Sequence, residues 1–87
     1  MQNESTVQNR LAVVAVMVEE TQAVSRVNAL LSEYAPFIVG RMGLPNVADG
    51  INVISIVMSA PLEKINALTG KLGNINGVNA KTLFSRV

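Results

Sequence analysis

The sequence contains no cysteine, no histidine and no tryptophan, and each absence limits its chemistry. Without cysteine the chain can form neither disulfide bonds nor thiolate metal sites. Without histidine it lacks the commonest metal ligand and the commonest general base near neutral pH. Its serine and threonine hydroxyls have no imidazole to activate them, and there is no thiol nucleophile. We therefore expect a protein that is not an enzyme and that holds no metal or other cofactor.

Aromatic residues are also scarce, at 3% of the chain, and the net charge is only +1. Proteins that bind single-stranded nucleic acid stack its bases on aromatic side chains, and nucleic-acid binders usually cluster their basic residues on one face. Here the basic residues are spread along the chain among acidic ones, at Arg10, Arg26, Arg41, Lys64, Lys71, Lys81 and Arg86. We expect no direct binding to nucleic acid.

No long hydrophobic segment is present. The longest unbroken apolar run is Leu11–Val18, whereas a membrane-spanning helix needs about 20 apolar residues. Residues 1–8 are mostly polar and lack the features of a signal peptide. The sequence thus predicts a cytoplasmic protein, not associated with membranes, with a flexible tail over residues 1–8 and one domain over residues 9–87.

Apolar periodicity predicts four strands and two helices. Leu11–Val18 and Ile51–Met58 are apolar at both odd and even positions, which is typical of strands covered on both faces. Phe37–Met42 is the second predicted strand. Its Arg41 indicates an edge strand, and its Gly40 indicates either a bulge or a close contact. The last strand is predicted over Val78–Val87. Residues 43–50 are rich in turn formers and predict a long hairpin loop.

The helices are predicted from stripes at three- and four-residue spacing. The first stripe consists of Val24, Val27, Leu30, Leu31 and Tyr34, and the second of Leu62, Ile65, Leu68 and Leu72. Thr21 is the expected N-cap of the first helix. Pro61 is the expected first residue of the second helix, and Gly73 its left-handed terminator.

The order strand, helix, strand, strand, helix, strand predicts an α+β ferredoxin-like βαββαβ sandwich, with a four-stranded antiparallel sheet and both helices on one face. In that arrangement the first and third strands are central. Since helices cover only one face, the other face must meet another apolar surface, and a second copy of the chain is the simplest candidate. We expect a homodimer or a homotetramer, and the pattern leaves both open.

Four stretches carry a resemblance to a known family, namely Arg10–Val18, Gly40-Arg41-Met42-Gly43-Leu44-Pro45, Ile51–Val57 and Leu68-Thr69-Gly70-Lys71-Leu72-Gly73. In these stretches the sequence resembles the iron-only hydrogenase system regulators of the ACT-like superfamily. The resemblance implies the same fold and a regulatory role. Structural relatives of the family include the C-terminal domain of nickel-responsive repressors, which binds nickel largely through histidines. With no histidine here, nickel sensing does not carry over.

The candidate ligand-binding residues are Glu19, Glu20, Thr21 and Gln22, which follow the first strand. In domains of the resembling type this loop often meets a neighbouring subunit. Adjacent carboxylates can bind a cation or an amine, but they also occur as solvated charges near a helix N-terminus. Arg41 likewise has two possible roles, which are to contact an anionic ligand or to prevent edge-to-edge aggregation of the sheet.

These observations favour a regulatory domain that senses a small-molecule effector or a protein partner. The alternative is a structural adaptor for protein–protein interaction that has no small-molecule ligand. Loop 43–50 is compatible with a binding element or with a spacer against a partner subunit.

Overall fold

The computed structural model describes residues 8–86 and contains four strands and two helices. In chain order they are β1 (Asn9–Val18), α1 (Val24–Glu33), β2 (Ile38–Ala48), β3 (Ile51–Pro61), α2 (Leu62–Gly73) and β4 (Val78–Phe84). Short 3-10 turns, Thr21–Ala23 and Ala35–Phe37, flank α1. The predicted tail, apart from Gln8, lies outside the described residues, as does Val87. The last strand is shorter than predicted, because β4 ends at Phe84 and the described residues Ser85 and Arg86 are not part of it.

The strands form one antiparallel sheet in the order β2-β3-β1-β4. The predicted ferredoxin-like sandwich is therefore confirmed, with β1 and β3 in the centre and β2 at an edge. The register pairs Val13 with Val57 of β3 and with Leu83 of β4. These three residues consequently form a row across one face of the sheet, because side chains of paired residues share a face.

The core lies between the sheet and the two helices. Along β1, the residues at even positions from Ala12 to Val18 are buried, and those at odd positions from Leu11 to Met17 are exposed. The helices contribute their predicted stripes to this core through Val27, Leu31, Tyr34, Ile65, Leu68 and Leu72. Leu62 is different, because it is exposed at the start of α2.

The predicted long hairpin loop over residues 43–50 is wrong. β2 continues through this segment to Ala48, and the turn itself is only Asp49–Gly50. Both turn residues have positive φ, 51° and 79°, as two-residue hairpin turns that follow the sheet twist require. Asn46, also at positive φ, sits in a bulge between Leu44 and Ala48. Its side-chain oxygen accepts a hydrogen bond from the Gly50 N–H. The turn-forming residues of segment 43–50 thus form a bulge in β2 and a tight two-residue turn.

Three details of the helix ends also differ from prediction. The first helix begins with the 3-10 turn at Thr21, and Thr21 makes no side-chain cap. Pro61 is the last residue of β3 and the N-cap of α2, one position before the predicted one. Gly73 ends α2 without the left-handed conformation, which belongs instead to Gly77, at φ 83°. The bulge predicted at Gly40 is confirmed by a register shift between Ile38 and Gly40.

Two threonine hydroxyls connect α2 to β4. The Thr69 hydroxyl donates to the carbonyl oxygen of Ile65 at 2.9 Å, and its oxygen lies 2.6 Å from the Thr82 hydroxyl oxygen. Because Thr69 has a single hydroxyl proton, Thr82 must donate to it.

Thr82→Val should lower the free energy of unfolding by about 0.5–1.5 kcal/mol, the net value of one such hydrogen bond. Thr82→Ser, which keeps the hydroxyl, is the matched control and should lose less. Urea unfolding followed by circular dichroism measures both. A Thr82→Val protein as stable as the wild type would show that this bond contributes nothing.

Candidate functional site

The predicted loop residues Glu19, Glu20, Thr21 and Gln22 connect β1 to α1, and the structure brings them together as one exposed segment, here called the first loop. The segment lies at the end of the sheet where Val18 pairs with Val78. Its backbone is fixed there by the Glu19 N–H, which donates to the carbonyl oxygen of Gly77 at 2.7 Å. The loop is therefore positioned by β4 as well as by the strand and helix it joins.

Gly77 lies in close contact with the first loop. A methyl group on Gly77 would overlap the Cβ and Cγ atoms of Glu20. The positive φ of Gly77 is also one that glycine adopts without a steric cost. A glycine at this position thus allows Glu20 to lie against the turn before β4.

The face of the sheet opposite the helices, here called the open face, is a second candidate surface. It consists of Leu11, Val13, Ala15, Met17, Met42, Leu44, Val53, Ser55, Val57, Ser59, Asn79, Lys81 and Leu83. Apolar side chains dominate it, and several are exposed, up to 73% for Leu83. The open face has no acidic residue, and its single basic residue, Lys81, is on the edge strand β4.

A cleft of about 220 Å³ lies beside α1 and is lined by Val24, Asn28, Arg41, Gly43, Leu44, Pro45, Asn52, Val53 and Ile54. We call it the α1–β2 cleft. Arg41 contacts α1 across it, because its Nη2 donates to Asn28 Oδ1 at 3.2 Å. Asn52 Oδ1 accepts from the Asn46 N–H at 2.7 Å. The first loop is not among the lining residues, although it leads directly to Val24.

Sequence reasoning named Arg41 as a candidate anion contact but missed Asn28 and Asn52. Asn28 is an exposed residue on a helix whose apolar stripe was the only periodic signal. Asn52 is one of few polar residues in an otherwise apolar strand. Only the packing of α1 against the β2–β3 pair shows that the three residues share one cleft.

The ionisable groups that interact most clearly lie elsewhere, where α1 and α2 end. Lys71 Nζ is 3.8 Å from Glu33 Oε2 and 5.2 Å from the centroid of the Tyr34 ring. The Tyr34 hydroxyl, through a hydrogen bond and its charge, and then Glu33, raise the pKa of Lys71. This exposed group connects the C-terminal ends of α1 and α2, and it includes no residue of the first loop, the open face or the α1–β2 cleft.

Within residues 8–86, no three histidine, cysteine, aspartate or glutamate side chains lie close enough together to hold a metal ion. Over the same residues, neither helix has the length and hydrophobicity needed to cross a membrane.

Comparison with known proteins gives a family and a fold. The family model of TM1266-like iron-only hydrogenase system regulators matches residues 10–82. The solved structure of the uncharacterized protein TM1266 from Thermotoga maritima superimposes with a TM-score of 0.86 at 31% identity, covering 91% of this chain and 100% of that one. A search of curated protein sequences found no match.

Two more distant solved structures share the fold. One is the C-terminal domain of the MgtC protein from Mycobacterium tuberculosis, with a TM-score of 0.71, 14% identity, and coverage of 97% of this chain and 94% of that one. The other is the ACT domain of GTP pyrophosphokinase from Chlorobium tepidum, with a TM-score of 0.64, 20% identity, and coverage of 86% of each chain. The ACT-like description of the fold is thus confirmed, and the family match supports a regulatory role. The chain belongs to the iron-only hydrogenase system regulator family.

Proposed function

We propose that this chain is a non-enzymatic regulatory domain of an iron-only hydrogenase system, which works as a homo-oligomer and senses a small-molecule effector. The open face is the observation that carries the proposal. Its apolar side chains are contiguous across all four strands, and a contiguous apolar patch on a small domain marks an interaction surface. The regulatory role itself follows the family to which the chain belongs.

A second copy of the chain is the occupant that best fits the open face. The centre of the face is Val13 between Val57 and Leu83, with Leu11 and Ala15 in the adjoining rows. No carboxylate would lose its hydration when two such faces meet, and the edge position of Lys81 leaves its ammonium group near solvent. A two-fold contact of this kind is self-complementary and uses the same residues from both copies.

The first loop is the proposed contact with effector or neighbouring subunit. Glu19, Glu20, Thr21 and Gln22 are all exposed, yet their backbone is fixed by the bond from Glu19 to Gly77. An exposed segment on a rigid support is a common arrangement for binding residues. Neutralising its two carboxylates should therefore change effector retention or the subunit number without unfolding the domain.

Native mass spectrometry of the freshly purified protein tests the proposal. We expect a dimer or a tetramer that retains additional non-covalent mass. The Glu19→Gln, Glu20→Gln double variant should lose that mass or change the subunit number. Glu63→Gln, an exposed carboxylate in the first turn of α2, is the matched control and should behave like the wild type.

The alternative outcomes separate the competing functions. An oligomer of bare mass that is unaffected by the loop variant would favour a structural adaptor without a small-molecule ligand. A monomer would contradict the assignment of the open face to a second copy. Sharply pH-dependent turnover of any substrate would contradict the non-enzymatic assignment.

A further inference from the structure

We propose that the α1–β2 cleft binds a small organic carboxylate that carries a short apolar tail, with Arg41 as the group that binds the carboxylate. The inference goes beyond the function proposed above, because the cleft is a separate site and no residue of the first loop lines it. The cleft itself is formed within a single chain, between the first half of α1 and the β2–β3 pair. Binding can therefore be measured whatever the subunit number.

Arg41 brings an uncompensated positive charge to the cleft. No acidic residue lines it, and within residues 8–86 Arg41 forms no ion pair. The hydrogen bond from its Nη2 to Asn28 Oδ1 holds the guanidinium against α1 and leaves its other N–H groups for a ligand. A guanidinium presents its N–H groups in a planar fork that matches the two oxygens of a carboxylate.

The two asparagine side chains add further donors. Asn28 Oδ1 already accepts from Arg41, and Asn52 Oδ1 already accepts from the Asn46 N–H. Each amide oxygen has thus used one of its two lone pairs, whereas within residues 8–86 neither NH₂ group makes a hydrogen bond, so each amide has two donors to offer a ligand. A cleft with one cation and two amide donors favours a ligand whose polar atoms are acceptors.

The remaining residues that line the cleft are apolar, and they favour a ligand that also has an apolar part. Val24, Pro45 and Ile54 contribute aliphatic surface, and Leu44 and Val53 line the cleft from positions whose side chains belong to the open face. A volume of about 220 Å³ accommodates roughly seven water-sized groups at about 30 Å³ each. An ion that is polar on all sides would make no favourable contact with this apolar surface. A short-chain carboxylate would contact both the hydrogen-bond donors and the apolar surface of the cleft.

A titration of the ¹⁵N-labelled protein with pentanoate, followed by amide chemical shifts, tests the inference. We expect saturable shifts that centre on Asn28, Arg41, Gly43 and Asn52, with a millimolar Kd. Pentanamide, which has the same shape without charge, should bind at least about tenfold more weakly, since hydrogen bonds to charged groups contribute more than neutral ones. Inorganic phosphate should also bind more weakly than pentanoate, because it has no apolar tail.

Two variants address the cleft independently. Arg41→Gln removes the charge and should weaken pentanoate binding at least about tenfold. Arg26→Gln is the matched control, because Arg26 is an exposed arginine of α1 outside the cleft lining and should leave the Kd unchanged. Gly43→Val places a side chain in the cleft where no other atom lies within 4 Å. It should block binding while Arg41 stays in place.

Equal binding of pentanoate to the wild type and to Arg41→Gln would overturn the inference. So would equal affinities for pentanoate, pentanamide and phosphate, or the absence of saturable shifts up to about 50 mM, well above the Kd expected for so small a ligand. These results are distinct from failure of the proposed function. Carboxylate binding by a monomer would contradict the oligomer but not the cleft, and an oligomer that binds none of the three probes would contradict the cleft alone.

Discussion

Val13→Asp is expected to convert the assembled protein into a folded monomer. Val13 is at the centre of the open face and is 38% exposed in the single chain, so an aspartate there remains hydrated in the monomer. In a face-to-face assembly the same carboxylate would be buried without a partner, which costs about 3–5 kcal/mol. Since about 1.4 kcal/mol corresponds to a tenfold change, the dissociation constant should rise by roughly two to four orders of magnitude.

Sedimentation velocity over a dilution series measures this shift, and circular dichroism verifies that the variant is folded. Leu62→Asp is the matched control, because Leu62 is a similarly exposed apolar residue, at 44%, but lies in the first turn of α2 and outside the open face. It should leave the subunit number unchanged. If Val13→Asp assembled as tightly as the wild type, the open face could not be the interface.

Gly77→Ala is expected to destabilise the domain by about 2–5 kcal/mol. Part of this is the cost of a positive φ for a residue with a Cβ atom, about 1–2 kcal/mol. The remainder is the overlap between the new methyl group and the Glu20 side chain, since overpacking typically costs about 1–3 kcal/mol. A small domain with a total stability near the lower end of about 5–15 kcal/mol would lose much of it.

Gly50→Ala separates the two contributions. Gly50 has nearly the same φ, 79° against 83° for Gly77, but a methyl group there meets no atom within 4 Å. Gly50→Ala should therefore lose only the stability that the positive φ costs a residue with a Cβ atom. Urea unfolding at one fixed protein concentration compares the variants, and adding Glu20→Gly to Gly77→Ala should recover the difference. If both alanine variants lost the same free energy of unfolding, the overlap with Glu20 would not contribute to the destabilisation.

The sequence was sufficient for the fold because its signals are repetitive. The helix stripe that includes Val27 and Leu31, and the apolar parity of β1, each repeat a pattern several times, so one irregular residue does not obscure them. The identification of β1 and β3 as central strands followed from the same pattern. Turn formers were harder to interpret, because glycine, proline and asparagine occur in bulged strands as well as in loops. Residues 43–48 were therefore assigned to a loop although they belong to β2.

The candidate sites were less predictable because they depend on distant packing. The first loop could be named from the sequence, since it directly follows a strand, but its attachment to Gly77 could not. Arg41 was identifiable as an exposed charge on an edge strand. Its neighbours Asn28 and Asn52 come from other elements, and no local pattern relates a helix residue to a strand residue so far along the chain.

The sheet order also has a consequence for the synthesis of the protein. β1 leaves the ribosome before the other three strands of the sheet, but its two neighbours, β3 and β4, are the last two to be synthesised. A nascent chain that ends after the β2–β3 hairpin still leaves the outer edge of β1 unpaired, and only the last strand covers it. Such late, long-range pairing slows folding and exposes strand edges in the meantime. Incomplete chains that lack β4 should therefore be the form of this protein that most needs a chaperone.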